Sequence, residues 1–174
     1  FDALANFEAI NSFAYLRFNH PQWAIPLIHD KHFFIKAKEL GHPLIIENRR
    51  VNNFIDIENN NSIMLVTGSN MAGKSTYLRS VGINVVLAMA GAPVCAQSFE
   101  LSPVQLLSSM RITDNLEEST STFYAELKKL KAIIDKVNRG EKVFILLDEI
   151  LRGTNSLDRH TGSVRSPCRS QPRR

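Results

Sequence analysis

Apolar residues recur at helical spacing over Phe1–Phe18, where Leu4, Phe7, Ile10 and Ala14 form a stripe widened by Phe1, Phe13 and Leu16. They do so again over Thr76–Ala90, with Leu78, Val81, Val85 and Met89, and from Phe123 onward, where Leu127, Leu130, Ile134 and Val137 oppose Lys128, Lys129, Lys131 and Lys136. Each spacing predicts an amphipathic helix. Between these stretches lie short β-forming runs at Phe33–Ala37, Leu44–Ile46, Val51–Ile57, Ile63–Thr67, Gln105–Ile112 and Val143–Glu149. These predict strands. Alternation of such runs with helices predicts an α/β chain: a central, mostly parallel sheet flanked by helices, with antiparallel strands from Phe33 to Ile57 on one side.

The punctuation between elements agrees with this division. Asn19, His20 and Pro21 stop the first helix, and the two prolines of Trp23–Asp30 make that stretch a connector. Pro43 pushes His42 out of the helical region and allows Leu44–Ile46 to extend. Asn59–Asn61 reads as a turn. The first helix has no obvious cap at Phe1, so it is expected to continue from something upstream.

The run Ile63–Thr67 ends at Gly68, where a G-x-x-x-x-G-K-[ST] pattern begins and runs to Ser75. A strand before the pattern and a helix after it are the context that makes it a phosphate-binding loop rather than a glycine turn. The loop comprises Gly68, Ser69, Asn70, Met71, Ala72, Gly73, Lys74, Ser75 and Thr76. Glycines let the backbone curl around a polyphosphate with its N–H groups inward, and the following helix turns its positive dipole end toward the same anion. Lys74 reaches the β- and γ-phosphates, Ser75 offers a hydroxyl to Mg²⁺ and Thr76 can donate to a phosphate oxygen. The implied ligands are a nucleotide polyphosphate and Mg²⁺.

Val143–Glu149 is a buried-strand pattern ending in two acids. In a parallel sheet these carboxylates arrive at the edge where nucleotides bind. Asp148 is then the candidate Mg²⁺ ligand and Glu149 the group that polarises the attacking water, alongside Lys74 as catalytic cation. Two adjacent acids after a strand can also be simply solvated. The hydroxyl run Ser119–Thr122 closes a polar loop, Thr113–Thr122, before the last helix, and reads either as helix capping or as a second anion site. Phe54 is either a base-stacking ring or a core residue, and His42 either a nucleotide contact or a structural histidine; spacing leaves both open.

Charge narrows the picture further. The net charge of +4 resides in residues 163–174, which hold four arginines and no acid; without them the remaining basic residues balance the 17 acidic ones. That argues against a nucleic-acid surface on the body of the chain. The tail has no apolar periodicity and two prolines, and is expected to be disordered and non-native. Cys95 and Cys168 make neither a disulfide framework nor a metal-ligand spacing, which predicts a reducing, cytoplasmic setting. The most apolar stretch, Val85–Ala96, is too short for a membrane span and reads as a core helix running into a strand, so no membrane partner is expected.

Taken in order, G-S-N-M-A-G-K-S-T-Y-L-R at Gly68–Arg79, S-T-F-Y-A-E-L at Ser121–Leu127 and L-L-D-E-I-L-R-G-T-N-S-L-D at Leu146–Asp158 resemble the ATPase domain of the MutS family of DNA mismatch-repair proteins. The resemblance runs from the N-terminal helix to about Gly162. It implies a P-loop NTPase of the ABC ATPase type that works as a homodimer, with Ser121 and Thr122 approaching the γ-phosphate of the other subunit. It implies that Phe54 and Ile55 contact adenine, that Arg152–Asp158 couples the two sites, and that Phe1–Phe18 is the end of a lever helix reaching toward DNA-binding domains upstream. Ser69 and Ala72 stand where the family more often has proline and glycine, and Ser119-Thr120 where it often has glycine-arginine.

The expected organisation is a lever-helix end and connector over 1–32, a partial ATPase domain over 33–162, and the tail over 163–174. The implied function is ATP binding and hydrolysis coupled to DNA clamp movement in mismatch repair or related repair. The alternative is a nucleotide-binding dimerisation module without turnover. A sheet lacking later strands is expected to expose apolar surface.

Overall fold

The computed structural model describes residues 1–30, 32–59, 62–69, 71–110 and 119–148, the helical residues 119–123 by their backbone alone. The chain divides into two compact units, Phe1–Leu106 and Leu107–Arg174. Asn70, Glu149, Arg152–Asp158 and the 163–174 tail lie outside the described residues.

In the first unit, α1 (Asp2–Asn19) leads through β1 (Leu27–Ile28) into β2 (Phe34–Leu40), a 3-10 turn at Glu47–Arg49, β3 (Asn53–Glu58), α2 (Lys74–Met89) and β4 (Ser98–Leu101). The sheet has the order β1-β4-β2-β3. β2 runs antiparallel to both β3 and β4, and β1 pairs parallel with β4. This sheet is therefore mixed; the mostly parallel central sheet expected is not seen among the described strands of this unit. The antiparallel hairpin-like pair predicted over Phe33–Ile57 is present as β2 and β3, because their apolar alternation buries Ile35, Ala37, Ile55 and Ile57 on one face.

A bulge adjusts that face. Ala37 pairs with Ile55 but Leu40 pairs with Asn53, so β2 carries one extra residue, and Glu39 takes a φ of 50°. The slip returns Leu40 to the core at 1% exposure and leaves Glu39 in solvent. On the outer face Lys36 bridges Asp56 and Glu58. The hydrogen bond to Glu58 raises the lysine's pKa, and the same bond holds the Glu58 carboxyl below its ordinary value.

The core of this unit gathers Trp23, Ile35, Leu40, Phe99 and Leu101 with Val81, Val85 and Ala88 of α2 and Val94. Within it sits one fully buried amide. Asn84 Nδ2 donates to the Gly41 carbonyl at 2.9 Å and to Ser80 O at 2.8 Å, while its Oδ1 accepts the Cys95 N–H at 2.7 Å. Gly41 N–H in turn donates to Cys95 O at 2.8 Å, so three segments meet at a satisfied polar node. Space beside Gly41 is tight: a Cβ would stand 2.4 Å from Arg50 Cδ and 2.6 Å from Asn52 Oδ1, side-chain atoms that would have to shift.

Two predicted strands are absent. Leu44–Ile46 forms turns, since the Leu44 N–H is taken by His42 Nδ1 at 3.2 Å and the Ile45 N–H by His42 O at 3.1 Å. Ile63–Thr67 has no regular structure, with Ile63 87% and Leu65 82% exposed. An apolar run becomes a strand when neighbours take its N–H and C=O groups, and no described strand pairs with this one. Val85–Ala96 runs from helix to an isolated bridge and not directly into a strand: α2 closes through Ala92 N–H to Leu87 O and Gly91 N–H to Ala88 O, Val94 bridges Ala24, and β4 begins only at Ser98.

The second unit holds the end of β5 (Gln105–Ser109), α3 (Ser119–Asn138) and β6 (Val143–Leu147), with β5 and β6 paired as a two-stranded sheet. β5 stops at Ser109, short of the expected Ile112, which lies outside the described residues. α3 ends in the same cap as α2, with Glu141 N–H donating to Lys136 O and Gly140 N–H to Val137 O. Phe144 and Leu146 are buried on β6.

Candidate functional site

The loop between residues 62 and 73 ends in a sharp turn that launches α2. Ala72 N–H donates to Ser69 O at 3.2 Å, and both Met71 and Gly73 have positive φ, 69° and 80°. Positive φ is ordinary for glycine and uncommon for methionine, so the backbone is held in an unusual shape at the position the motif marks. Gly73 is the N-cap of α2 and carries no side chain to cap it, leaving the first-turn amides without a side-chain partner. A Cβ at Gly73 would meet nothing within 4 Å, so the space beside the helix start is open.

Lys74 opens α2, and its ammonium folds back over the loop, donating to Gly68 O at 2.8 Å and Ser69 O at 2.7 Å. Ser75 and Thr76 follow in the first turn. Lys74, Ser75 and Thr76 thus sit in the first turn of α2, and the Gly68 and Ser69 carbonyls meet the Lys74 ammonium.

One turn further on, Tyr77 connects this loop to β3. Its N–H donates to Gly73 O at 2.8 Å, its hydroxyl donates to the Phe54 carbonyl at 3.0 Å, and the same oxygen lies 4.0 Å from Met64 Sδ. Burial pushes the phenol's pKa up, which keeps it a donor. Phe54 itself is 71% exposed on β3. Ile55 faces the opposite way and is 3% exposed, so its side chain belongs to the core and any contact with a base runs through its backbone. An open groove of about 260 Å³ lies beside Phe54's neighbours, between Asp56–Glu58 and Ser62–Met64.

His42 is partly buried, and desolvation, with the Arg79 guanidinium nearby, lowers its pKa. Its Nδ1 is engaged by the Leu44 amide. A separate open groove of about 300 Å³ lies among His20, Pro43–Ile46 and Arg50. It is apolar, and it holds none of the loop residues.

In the second unit, α3 begins at Ser119, earlier than the predicted Phe123, so Ser121 and Thr122 belong to its first turns rather than to the preceding loop. No acidic residue lies in that first turn. Asp148 follows β6, its N–H donating to Ser109 O at 3.0 Å, which fixes the end of β6 to the end of β5. The loop belongs to the first unit and Asp148 to the second. Among the described residues no group of three or more His, Cys, Asp or Glu is clustered as a metal site, and no helix is long and apolar enough to cross a membrane.

Sequence reasoning missed Tyr77 and Asn84. Nothing in the spacing marks a tyrosine hydroxyl as the partner of a backbone carbonyl 23 residues earlier. Asn84 did leave a signal, as an amide on the apolar face between Val81 and Val85.

A glycine loop that launches a helix, in a unit with a mixed sheet, defines an α/β protein. Comparison with known proteins takes this further. The MutS domain V family matches residues 64–164, more than half of the chain. The chain belongs to the MutS family. It is 35% identical over 158 residues to the DNA mismatch repair protein MutS of Ehrlichia chaffeensis, covering 90% of this chain and 19% of that protein. It is 34% identical over 167 residues to the protein of the same name from Granulibacter bethesdensis, covering 90% and 17%. Over 109 residues it is 39% identical to that of Chlorobaculum tepidum, covering 62% and 12%. The chain therefore spans less than a fifth of the length of these relatives.

Proposed function

We propose that this chain is the nucleotide-binding part of a MutS-type protein, a P-loop ATPase of the ABC type that binds and hydrolyses Mg²⁺-ATP and couples the reaction to clamp movement on DNA in mismatch repair. The observation that carries the reading is the launch of α2, where an uncapped helix start, the left-handed Gly73 and the Lys74 ammonium converge on one loop. Backbone N–H groups there suit a polyphosphate. Membership of the family, whose relatives carry mismatch repair in their names, supports the wider role.

On this reading the amides from Gly68 through Gly73 cradle the phosphates. Lys74 exchanges two neutral carbonyl acceptors for phosphate oxygens, a change to charge-assisted bonds that favours the bound state. Thr76 donates to a phosphate oxygen. Ser75 and Asp148 each offer oxygen, which suits a hard dication; when bound, Mg²⁺ would neutralise charge on the phosphates. Glu149 orients water for in-line attack on the γ-phosphorus, and Lys74 absorbs charge as the bond to the leaving oxygen breaks. Phe54 stacks on adenine. A second copy supplies Ser121 and Thr122 from the start of α3, and DNA is held by domains elsewhere in the whole protein.

Calorimetric titration with Mg²⁺-ATP tests the core of this proposal. The chain is expected to bind, Lys74→Ala to weaken binding at least about tenfold, and Glu149→Gln to bind yet lose turnover. Equal affinity in the Lys74→Ala protein, or no saturable binding by the unaltered chain, overturns the reading. Nucleotide-dependent dimers without turnover would instead favour a dimerisation module.

A further inference from the structure

β3 is at the edge of the described sheet, paired only with β2. Phe54 falls where that pairing is irregular, between the Ala37–Ile55 and Leu40–Asn53 pairs. Its carbonyl finds a partner on α2, in the Tyr77 hydroxyl at 3.0 Å. The same tyrosine is bonded through its own amide to Gly73, the last residue of the loop before the helix. The Tyr77 backbone thus closes the first turn of α2 onto Gly73, and its side chain reaches the strand that displays an exposed aromatic ring.

We propose that Tyr77 is a positioning residue for nucleotide recognition: it fixes the distance between the phosphate loop and Phe54, so that the site selects a nucleoside triphosphate over a bare polyphosphate. This rests on reading Gly68–Thr76 as a phosphate loop. The geometry gives the strut its effect. Ile55, next along the strand, is locked in the core, so Phe54 has little freedom to slide along β3, while the Tyr77 hydroxyl ties its carbonyl to α2. The contact with Met64 adds the segment entering the loop to the same junction. A base stacked on Phe54 and a triphosphate in the loop are two ends of one ligand, and their joint affinity depends on how well that span is held.

The test compares two ligands on the full chain, Mg²⁺-ATP and Mg²⁺-tripolyphosphate, by calorimetry. Tyr77→Phe keeps the ring and removes the hydroxyl. It is expected to weaken ATP about fivefold and to leave tripolyphosphate unchanged, and in a Phe54→Ala background it is expected to have no further effect on ATP. Unaltered far-ultraviolet circular dichroism and thermal midpoint within a few degrees establish that the variant is folded. If Tyr77→Phe weakens both ligands alike, or neither, the strut is overturned while the phosphate loop stands. If the unaltered chain binds neither ligand, the phosphate-loop reading falls and the strut falls with it.

Discussion

The two ends of α2 live in different worlds. Around Asn84 the helix is buried, and every polar atom of that side chain is paired against Gly41, Ser80 and Cys95. Before its start, the described residues from Ile63 to Gly73 are largely exposed, although they include Ile63, Leu65 and Met71. Apolar content is similar in the two regions. What separates them is partners: Val81, Val85 and Ala88 are buried on a helix that Asn84 ties to Gly41 and Cys95, whereas no described strand pairs with residues 63–67. The helix is thus anchored at one end and presents its other end, with its amides and Lys74, to solvent.

That contrast makes a pair of substitutions informative. Asn84→Ala removes the partner of the Gly41 carbonyl and the Cys95 amide in a place water does not reach, and is expected to cost about 3 kcal/mol. Leu65→Ser, at an exposed position, is expected to change stability by less than about 0.5 kcal/mol. Urea midpoints at constant slope measure both. Comparable losses at the two positions would mean that residues 62–69 are packed in solution, and the division drawn along α2 would be wrong.

A smaller effect is expected at the joint itself. Gly73 has φ of 80° with open space where a methyl would stand, so Gly73→Ala meets no neighbour and pays only for the left-handed backbone, about 1 kcal/mol. Here the expected signature is a modest fall in urea midpoint together with weaker Mg²⁺-ATP binding, because a backbone that relaxes toward negative φ swings the first-turn amides away from the loop. A stability loss with unchanged binding would show that the launch angle of α2 is not what the ligand reads.

Much of this architecture was legible in the sequence, and the reasons differ by element. α1, α2 and α3 declared themselves by spacing, and β2, β3 and β6 by alternation or a run of β-formers with turns on either side. The loop was legible because its glycines and lysine form a local pattern. Leu44–Ile46 misled because proline favours extended backbone without guaranteeing a partner strand, and His42 captured the two amides that such a strand needs. Ile63–Thr67 misled because a buried-strand pattern states what the segment can do once neighbours flank it, not whether they do. The bulge at Glu39 and the tie from Tyr77 to Phe54 are long-range matters of register, which one-dimensional periodicity does not encode.

The smallest expected effect concerns the turn that stands in place of the predicted Leu44–Ile46 strand. His42 Nδ1 accepts the Leu44 N–H, which requires a neutral ring nitrogen, and both burial and the Arg79 charge disfavour the cation. Its pKa in the folded chain therefore lies below the ordinary 6.5. Between that lowered value and 6.5 the unfolded chain binds more protons, so the contribution of His42 is fully present above pH 6.5 and is lost as pH falls through the folded value. Glu58, whose pKa is lowered from 4.5, titrates in a more acidic range and does not interfere. His42→Asn keeps an acceptor near the Leu44 amide but does not titrate. Between about pH 7.5 and about pH 5.5 the urea midpoint should therefore fall less in His42→Asn than in the unaltered chain, while the two proteins are close at the higher pH. An identical fall in both would show that protonation leaves the Gly41–Ile46 turn intact, and that the turn is held by Pro43 and the Ile45 amide rather than by the imidazole.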